Sequence, residues 1–365
     1  MSGLGPGPGA GPGGVPIAIA VSPILSARIR TQDLDAIRAA APGSRIVNLS
    51  VEGLADGPVE DVEVLLRGWL SSEAFDRLLA RAPRLSWVHS ATSGVERALT
   101  PAARDRGVVV TNARGVFTRP IAEHVLMLIL AISRRLPQLL ELQHERTWQP
   151  LQGVELRELT IGIVGYGSIG RAVASLAGAF GARVIAVRRH PDPAVGGDRG
   201  GERGADRGVS RSTEDPDDAF PFEPAPDRIL GPDGLHEMLG AADIVVLAAP
   251  LTPETDGMID AAAFAAMRRD AWIVNVARGR LIDDAALVEA LAAHRIGGAA
   301  LDTFREEPLP PTSPLYDLSN VILTPHTAWS SARVLDRSIE LFCANLVRFA
   351  AGNRLRNMVD PGAGY

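Results

Sequence analysis

Apolar runs rich in Val, Ile and Leu alternate along this chain with stretches whose hydrophobic residues recur at helical spacing. VPIAIAVSP is the first apolar run. A helical pattern follows from Thr31 to Ala41, then the strands SRIVNLS and VEVLLRG, the helix SSEAFDRLLARAP, and the strands LSWVHSA and RGVVVTN. Strands that alternate with helical patterns predict a parallel sheet covered on both faces. From Pro120 the character changes. One long apolar helix is expected from Pro120 to about Leu140, with the proline tolerated in the first turn and Glu123 near the positive end. The buried strand ELTIGIVG comes next, followed by a helix with Ile169, Val173, Leu176 and Phe180 on one face. ARVIAV, ADIVVLAAP, AWIVNVA, GGAALD and NVILTP continue the alternation, so the second block reads as a doubly wound sheet of its own. The amphipathic helix SARVLDRSIELFCANLVRFAAG closes the pattern, and the tail after Gly352 is expected to pack back on the first block.

Two segments break the rhythm. Residues 1–14 are Gly/Pro-rich, carry neither a basic nor an apolar leader pattern, and are expected to form a disordered tail. Residues 191–227 mix Gly, Asp and Arg without period, which predicts a solvated, flexible insertion. Composition narrows the class further. At 365 residues there is room for two domains. With 46% hydrophobic and 22% charged residues the chain suits a globular protein, and a net charge of −6 argues against a nucleic-acid partner. The apolar segment from Ile121 to Ile132 is too short to span a membrane. A single cysteine, Cys343, fits a reducing cytoplasm. No His/Cys/Asp/Glu spacing suggests a metal.

The chemistry is concentrated in four motifs. IGIVGYGSIG, Ile161 to Gly170, places Gly165, Gly167 and Gly170 between an apolar strand and an amphipathic helix. That context makes a dinucleotide-binding turn: Gly165 for the tight bend, Gly167 for close approach to a pyrophosphate, Gly170 for helix packing, with the first amides of the helix, from Ser168 and Ile169, facing the anion. The following strand ends in Arg188 and Arg189 where an acidic residue would bind a ribose hydroxyl, which favours NADP over NAD. Further on, Arg278 in NVARG, Glu307 in REEPLP and His326 in LTPHTAW supply a cation, a carboxylate and an imidazole. Those groups suffice to hold an oxo acid and move a proton.

Taken in order, TNARGVFTRPIAEH, GIVGYGSIG, LAAPLTPETDGMID, WIVNVARGRLID, GAALDTFREEPLP and NVILTPHTAW resemble the D-isomer-specific 2-hydroxyacid dehydrogenases. The family includes glyoxylate/hydroxypyruvate reductases and phosphoglycerate dehydrogenase. The resemblance implies an α/β protein of two doubly wound parallel-sheet domains. A Rossmann dinucleotide-binding domain, residues 117–330, would be inserted into a flavodoxin-like substrate-binding domain, residues 15–116 and 331–365. It also implies the roles: Arg278 grips the substrate carboxylate and keto oxygen, His326 is the acid/base, and Glu307 orients the ring and favours its charged form. Tyr166, Pro250, Thr255, Ala277 and Asp302 are placed beside the cofactor, with loop capping as the alternative role for Asp302. Ser93 and Gly94 in SATSGVE correspond to the loop that binds the substrate carboxylate. Arg67 is read as a solvated arginine in preference to a substrate contact. Thr252 and Pro253 look like an N-cap and first helical residue. A homodimer through the cofactor domains is the implied assembly.

The expected activity is hydride transfer between NAD(P)H and a small 2-keto or D-2-hydroxy acid of the glyoxylate or hydroxypyruvate type. A phosphoglycerate dehydrogenase-like enzyme ranks below it, since some such members carry a further regulatory domain beyond the point where this chain ends. A dinucleotide-sensing binding protein, like the family's corepressors, is the reading from a different class.

Overall fold

The computed structural model describes residues 17–23, 29–95, 97–190 and 226–360. The expected tail, residues 1–14, lies outside the described residues, as do 191–225 of the expected insertion. The chain divides into two compact units, with breaks at Phe117/Thr118 and Ser330/Ser331.

The first unit holds a five-stranded parallel sheet in the order β2-β1-β3-β4-β5, the flavodoxin-like arrangement. Its strands are β1 (Ala18–Val21), β2 (Arg45–Asn48), β3 (Val62–Arg67), β4 (Trp87–Ser90) and β5 (Val109–Asn112). Helices α1 (Thr31–Ala40), α2 (Ser72–Arg81) and α3 (Pro101–Asp105) connect them. The last helix of the chain, α10 (Val334–Ala350), returns to this unit and packs on α1. Phe342 of α10 is fully buried and stacks on Trp87 with ring centroids 5.4 Å apart. The tail then pairs with β5, where Val359 N donates to Val110 O at 2.9 Å, as the return to the first block requires.

The second unit is a seven-stranded parallel sheet in the order β12-β11-β10-β9-β6-β7-β8. Strands β6 (Thr160–Val164), β7 (Arg183–Val187), β9 (Ile244–Leu247), β10 (Trp272–Asn275), β11 (Gly298–Leu301) and β12 (Val321–Leu323) coincide with the apolar runs. Chain order reverses between β6 and β9, the place where doubly wound sheets open a crevice. On one face α7 (Leu235–Ala241), α8 (Ala261–Ala266) and α9 (Asp284–Ala292) form a continuous core with the sheet. On the other, α4 (Thr118–Ser133) packs against α6 (Ser168–Ala179).

Several local expectations change. The single helix to Leu140 is two, α4 and α5 (Leu136–His144), with Arg135 between them in the left-handed region at φ 57°. Pro137 explains the break: it has no N–H to give the carbonyl of Ser133, and its ring would clash there. That carbonyl is satisfied instead by Val154 N at 2.9 Å. Of the stripe Ile169, Val173, Leu176 and Phe180, Val173 alone is fully buried. Phe180 is exposed, and the buried residues are Gly170, Ala172, Val173, Ala174, Ser175 and Ala177, because the helix is sandwiched between the sheet and α4. Thr252 and Pro253 start a single turn and no helix; α8 begins later, capped by Asp260, whose carboxylate accepts from Ala263 N at 2.9 Å. Gly257, at φ 66°, ends that turn. The short edge strand β8 (Arg228–Leu230) was not anticipated. Asp227, placed by sequence in the flexible insertion, is part of that edge: its backbone N donates to Val184 O at 2.8 Å and its carboxylate accepts from Val184 N at 2.7 Å.

One buried polar group in the first unit carries a measurable consequence. Thr111 Oγ1 accepts from Trp87 Nε1 at 2.9 Å and lies 2.8 Å from His89 Nδ1. The other ring nitrogen, Nε2, has no partner among the described residues. Burial pushes His89 down from 6.5 to about 3. Between those values the unfolded chain binds a proton that the folded chain refuses. The stabilising contribution of the neutral ring is complete above about pH 6.5 and is lost as pH falls toward 3. Urea unfolding from pH 4 to pH 7 should show wild type gaining more stability than His89→Gln, by roughly 1 kcal/mol per pH unit. Parallel curves for the two proteins would assign the acid sensitivity elsewhere.

Candidate active site

The glycine turn follows β6. Gly165 has φ 95°, and a Cβ there would lie 2.5 Å from the backbone N of Ala249 at the exit of β9. A Cβ on Gly170 would lie 2.2 Å from the carbonyl oxygen of Gly165. Both glycines are therefore demanded by the protein's own packing. Gly167 differs: its φ of −90° suits any residue, and a Cβ would meet nothing within 4 Å among the described residues. Protein atoms give no reason for glycine at this N-cap of α6. A ligand lying against the backbone does, since a side chain would fill that cradle. The first-turn amides of α6, including those of Ser168 and Ile169, have no intrahelical acceptors and suit an anion. Tyr166 is half-buried beside the guanidinium groups of Arg171 and Arg188; burial raises its phenol above the usual value and the two cations partly offset this.

At the exit of β7, Arg188 is half-buried and Arg189 is exposed. Arg189 pairs with Glu254 at 3.2 Å. Thr255 holds the same turn, donating to Pro250 O and accepting from Thr252 N, both at 2.8 Å.

The turn after β10 presents Arg278. Asn275, fully buried, accepts from Ala277 N at 3.1 Å and donates to Arg278 O at 3.0 Å. One guanidinium nitrogen of Arg278 donates to Ala277 O at 2.8 Å. A Cβ on Gly279 would sit 1.9 Å from the carbonyl carbon of Phe304, so this glycine lets the Arg278 turn lie against the segment that leads to Glu307.

Glu307 and His326 meet. Glu307 Oε2 lies 2.7 Å from His326 Nδ1, and its Oε1 accepts from Phe304 N at 2.9 Å. One carboxylate oxygen is thus fixed to the backbone and the other to the ring, which leaves His326 Nε2 as the nitrogen available for proton transfer. His326 itself sits at φ 48°. Asp302 maintains that turn. It is 1% exposed; Oδ1 accepts from the Thr324 hydroxyl at 2.6 Å and from Thr327 N at 2.9 Å, while Oδ2 accepts from Ala328 N at 3.0 Å. Asp302 thus caps the loop that carries His326. His124 of α4 completes the support, with Nε2 3.2 Å from Thr324 Oγ1 and 3.8 Å from Asp302 Oδ1. Burial lowers the His124 pKa, and Asp302 partly opposes the shift.

In the first unit, Ser93 O accepts from Asn112 Nδ2 at 3.0 Å, and Gly94 O accepts from the Thr92 hydroxyl at 2.8 Å. Glu96 lies outside the described residues. Arg67 is not solvated. It is 3% exposed, donates to the Leu70 carbonyl and lies 5.9 Å from the Phe75 ring centroid. Burial, with Arg97 nearby, holds it down to about 10. Helix α2 covers the end of β3, which a reading of a lone strand-end arginine could not anticipate.

Asn275, Gly279, Thr324 and His124 were not assigned roles from sequence. Each sits inside a motif already noted: Asn275 braces its own turn, while Gly279, Thr324 and His124 meet other motifs, and such contacts leave no periodicity or spacing to read.

A model of the NAD binding domain of D-isomer specific 2-hydroxyacid dehydrogenases matches residues 126–205 and 221–328. This chain belongs to that family. Within it, the glyoxylate reductase of Korarchaeum cryptofilum is 33% identical over 305 residues, covering 81% of each chain. The D-3-phosphoglycerate dehydrogenase of Mycobacterium bovis is 36% identical over 290 residues, 79% of this chain and 49% of its own length. This 2-hydroxyacid dehydrogenase homologue thus spans about half the length of the phosphoglycerate dehydrogenases it matches. Among solved structures, a family member from Xanthobacter autotrophicus Py2 in complex with NADPH and MES aligns with a TM-score of 0.77 and 28% identity, covering 96% of this chain and all of that one. An NADPH-dependent glyoxylate/hydroxypyruvate reductase from Sinorhizobium meliloti aligns with a TM-score of 0.75 and 26% identity over the same shares.

Proposed function

We propose that this protein is an NADP-dependent D-2-hydroxyacid dehydrogenase that interconverts a small 2-keto acid, of the glyoxylate or hydroxypyruvate type, and its D-2-hydroxy acid. The observation that carries the reading is the 2.7 Å contact between His326 and Glu307, on loops braced by Asp302 and by the Arg278 turn. Bound nicotinamide would supply or accept the hydride. Arg278 would hold the planar carboxylate and polarise the keto oxygen through its fork of donors. As negative charge grows on that oxygen, His326 Nε2 would deliver a proton, and Glu307 would stabilise the imidazolium through Nδ1. Ser93 and Gly94 are the proposed carboxylate loop of the first unit. The open cradle at Gly167, the α6 amides and the residues Tyr166, Pro250, Thr255 and Ala277 suit a dinucleotide, and Arg188 and Arg189 suit its 2′-phosphate. NADPH or NADP in the two structural relatives favours the same choice.

A phosphoglycerate-type substrate is the second reading, favoured by the 36% identity to the mycobacterial enzyme. Oxidation of NADPH and NADH against glyoxylate, hydroxypyruvate, pyruvate and 3-phosphohydroxypyruvate separates the two. Turnover with none of these, together with tight dinucleotide binding, would sink both.

A homodimer through the second unit belongs to the same proposal. Helix α5 buries none of its residues, and Met127, Leu136, Leu140 and Trp148 leave apolar surface exposed on this unit, Trp148 completely. Light scattering should give twice the 38.6 kDa chain mass; a monomer at micromolar concentration would remove this part. No helix among the described residues is long and apolar enough to cross a membrane. A cytoplasmic location is proposed on the lone Cys343.

Replacing His326 with Ala should lower turnover ~10²–10⁴-fold while dinucleotide binding persists. Near-normal turnover would take His326 out of the mechanism. Arg188→Asp should move the ratio of kcat/KM values from NADPH toward NADH; an unchanged ratio would contradict the assignment of the 2′-phosphate to Arg188.

A further inference from the structure

Arg189 leaves β7 and Glu254 belongs to the turn after β9, yet their side chains meet at 3.2 Å. In the sheet, β6 lies between those two strands. Strands separated by one neighbour are about 9–10 Å apart, so two long side chains must reach toward each other across the carboxyl end of β6. That end carries the turn from Gly165 to Gly170, the crevice edge where doubly wound sheets take dinucleotides. The carboxylate is also built into its turn. Thr252 Oγ1 donates to the same Glu254 Oε2 at 2.7 Å, and Thr252 is tied to Thr255, which donates to Pro250 O. Hydrogen bonding from Thr252 first, and the charge of Arg189 last, keep the Glu254 carboxyl below its usual range, so it is an anion at neutral pH.

We infer that Glu254 is a cofactor-selectivity residue: its carboxylate occupies Arg189 as an internal competitor of the ribose 2′-phosphate and so limits the preference for NADP over NAD. The inference rests on the NADP reading and adds a residue that opposes it. A 2′-phosphate must draw Arg189 away from Glu254. A 2′-hydroxyl makes no such demand, so NADH binds with the pair intact. Glu254→Gln keeps the shape and the hydrogen bond from Thr252 but removes the charge. Both partners are exposed, Arg189 at 47% and Glu254 at 65%, so the effect is modest.

Titration of the purified protein with NADPH and with NADH, followed by quenching of tryptophan fluorescence, tests this without turnover. Glu254→Gln should tighten NADPH binding by ~2–5-fold, the range of an exposed ion pair, and leave NADH within error. In an Arg189→Ala background the same substitution should change nothing, because the cation it competes for is gone. Retained NADH binding shows that each variant is folded. Three results overturn the inference: an unchanged NADPH affinity, equal tightening of both dinucleotides, or a gain that survives in Arg189→Ala. A wild-type protein that binds NADPH no more tightly than NADH, with no response to Arg188→Asp, would instead overturn the NADP reading itself and this inference with it.

Discussion

The buried carboxylate of Asp302 is the interaction on which the rest of the site depends. A carboxylate at 1% exposure is costly unless it is hydrogen-bonded, and here the Thr324 hydroxyl and the amides of Thr327 and Ala328 donate three bonds to it. Asp302 follows β11 and those donors follow β12, so one anion locks the exits of two adjacent strands together. His326 lies inside the locked segment, in a left-handed backbone conformation that a non-glycine residue adopts at a cost of order 1–3 kcal/mol. The ring is thus aimed by the fold, and Glu307 needs only to meet it.

From that point the site follows from the sheet. Arg278 follows β10, Asp302 follows β11 and the His326 segment follows β12, three neighbouring strands that run in one direction. The glycine turn follows β6 at the switch point. A parallel sheet collects strand exits on one edge. Motifs scattered over more than a hundred and fifty residues of sequence therefore share a single border of the second unit.

Legibility divided along the same physical line. Strands β6, β9, β10 and β11 are legible in the sequence because each is largely buried and reads as a continuous apolar run, and the half-buried edge strand β12 reads as one too; the three-residue β8 at the other edge gives no such run. Helix α6 misled for the complementary reason. Its large residues suggested a face, but a helix pressed between a sheet and α4 needs small ones, and Ala172, Ala174 and Ala177 are what it buries. The break between α4 and α5 was written in Pro137, whose effect falls four residues upstream on Ser133. Among site residues, glycine identity was readable at Gly165 and Gly170, where packing demands it. Gly279, Thr324 and His124 act on other motifs, and such support is visible only once the strands are placed side by side. Arg67 erred in the other direction: an arginine at a strand end looks solvated until α2 is laid over it.

The clamp between Asp227 and Val184 separates sheet register from the length of the connection. Its two bonds fix where the chain rejoins the sheet after β7, so the register of β7 with β8 is decided by residues that flank the intervening stretch. Closing a longer connection between two fixed points costs free energy that grows only with the logarithm of its length. A change in the length of that interval would therefore leave the register of β7 and β8 to the residues that flank it, and with it the strand exits of the same sheet.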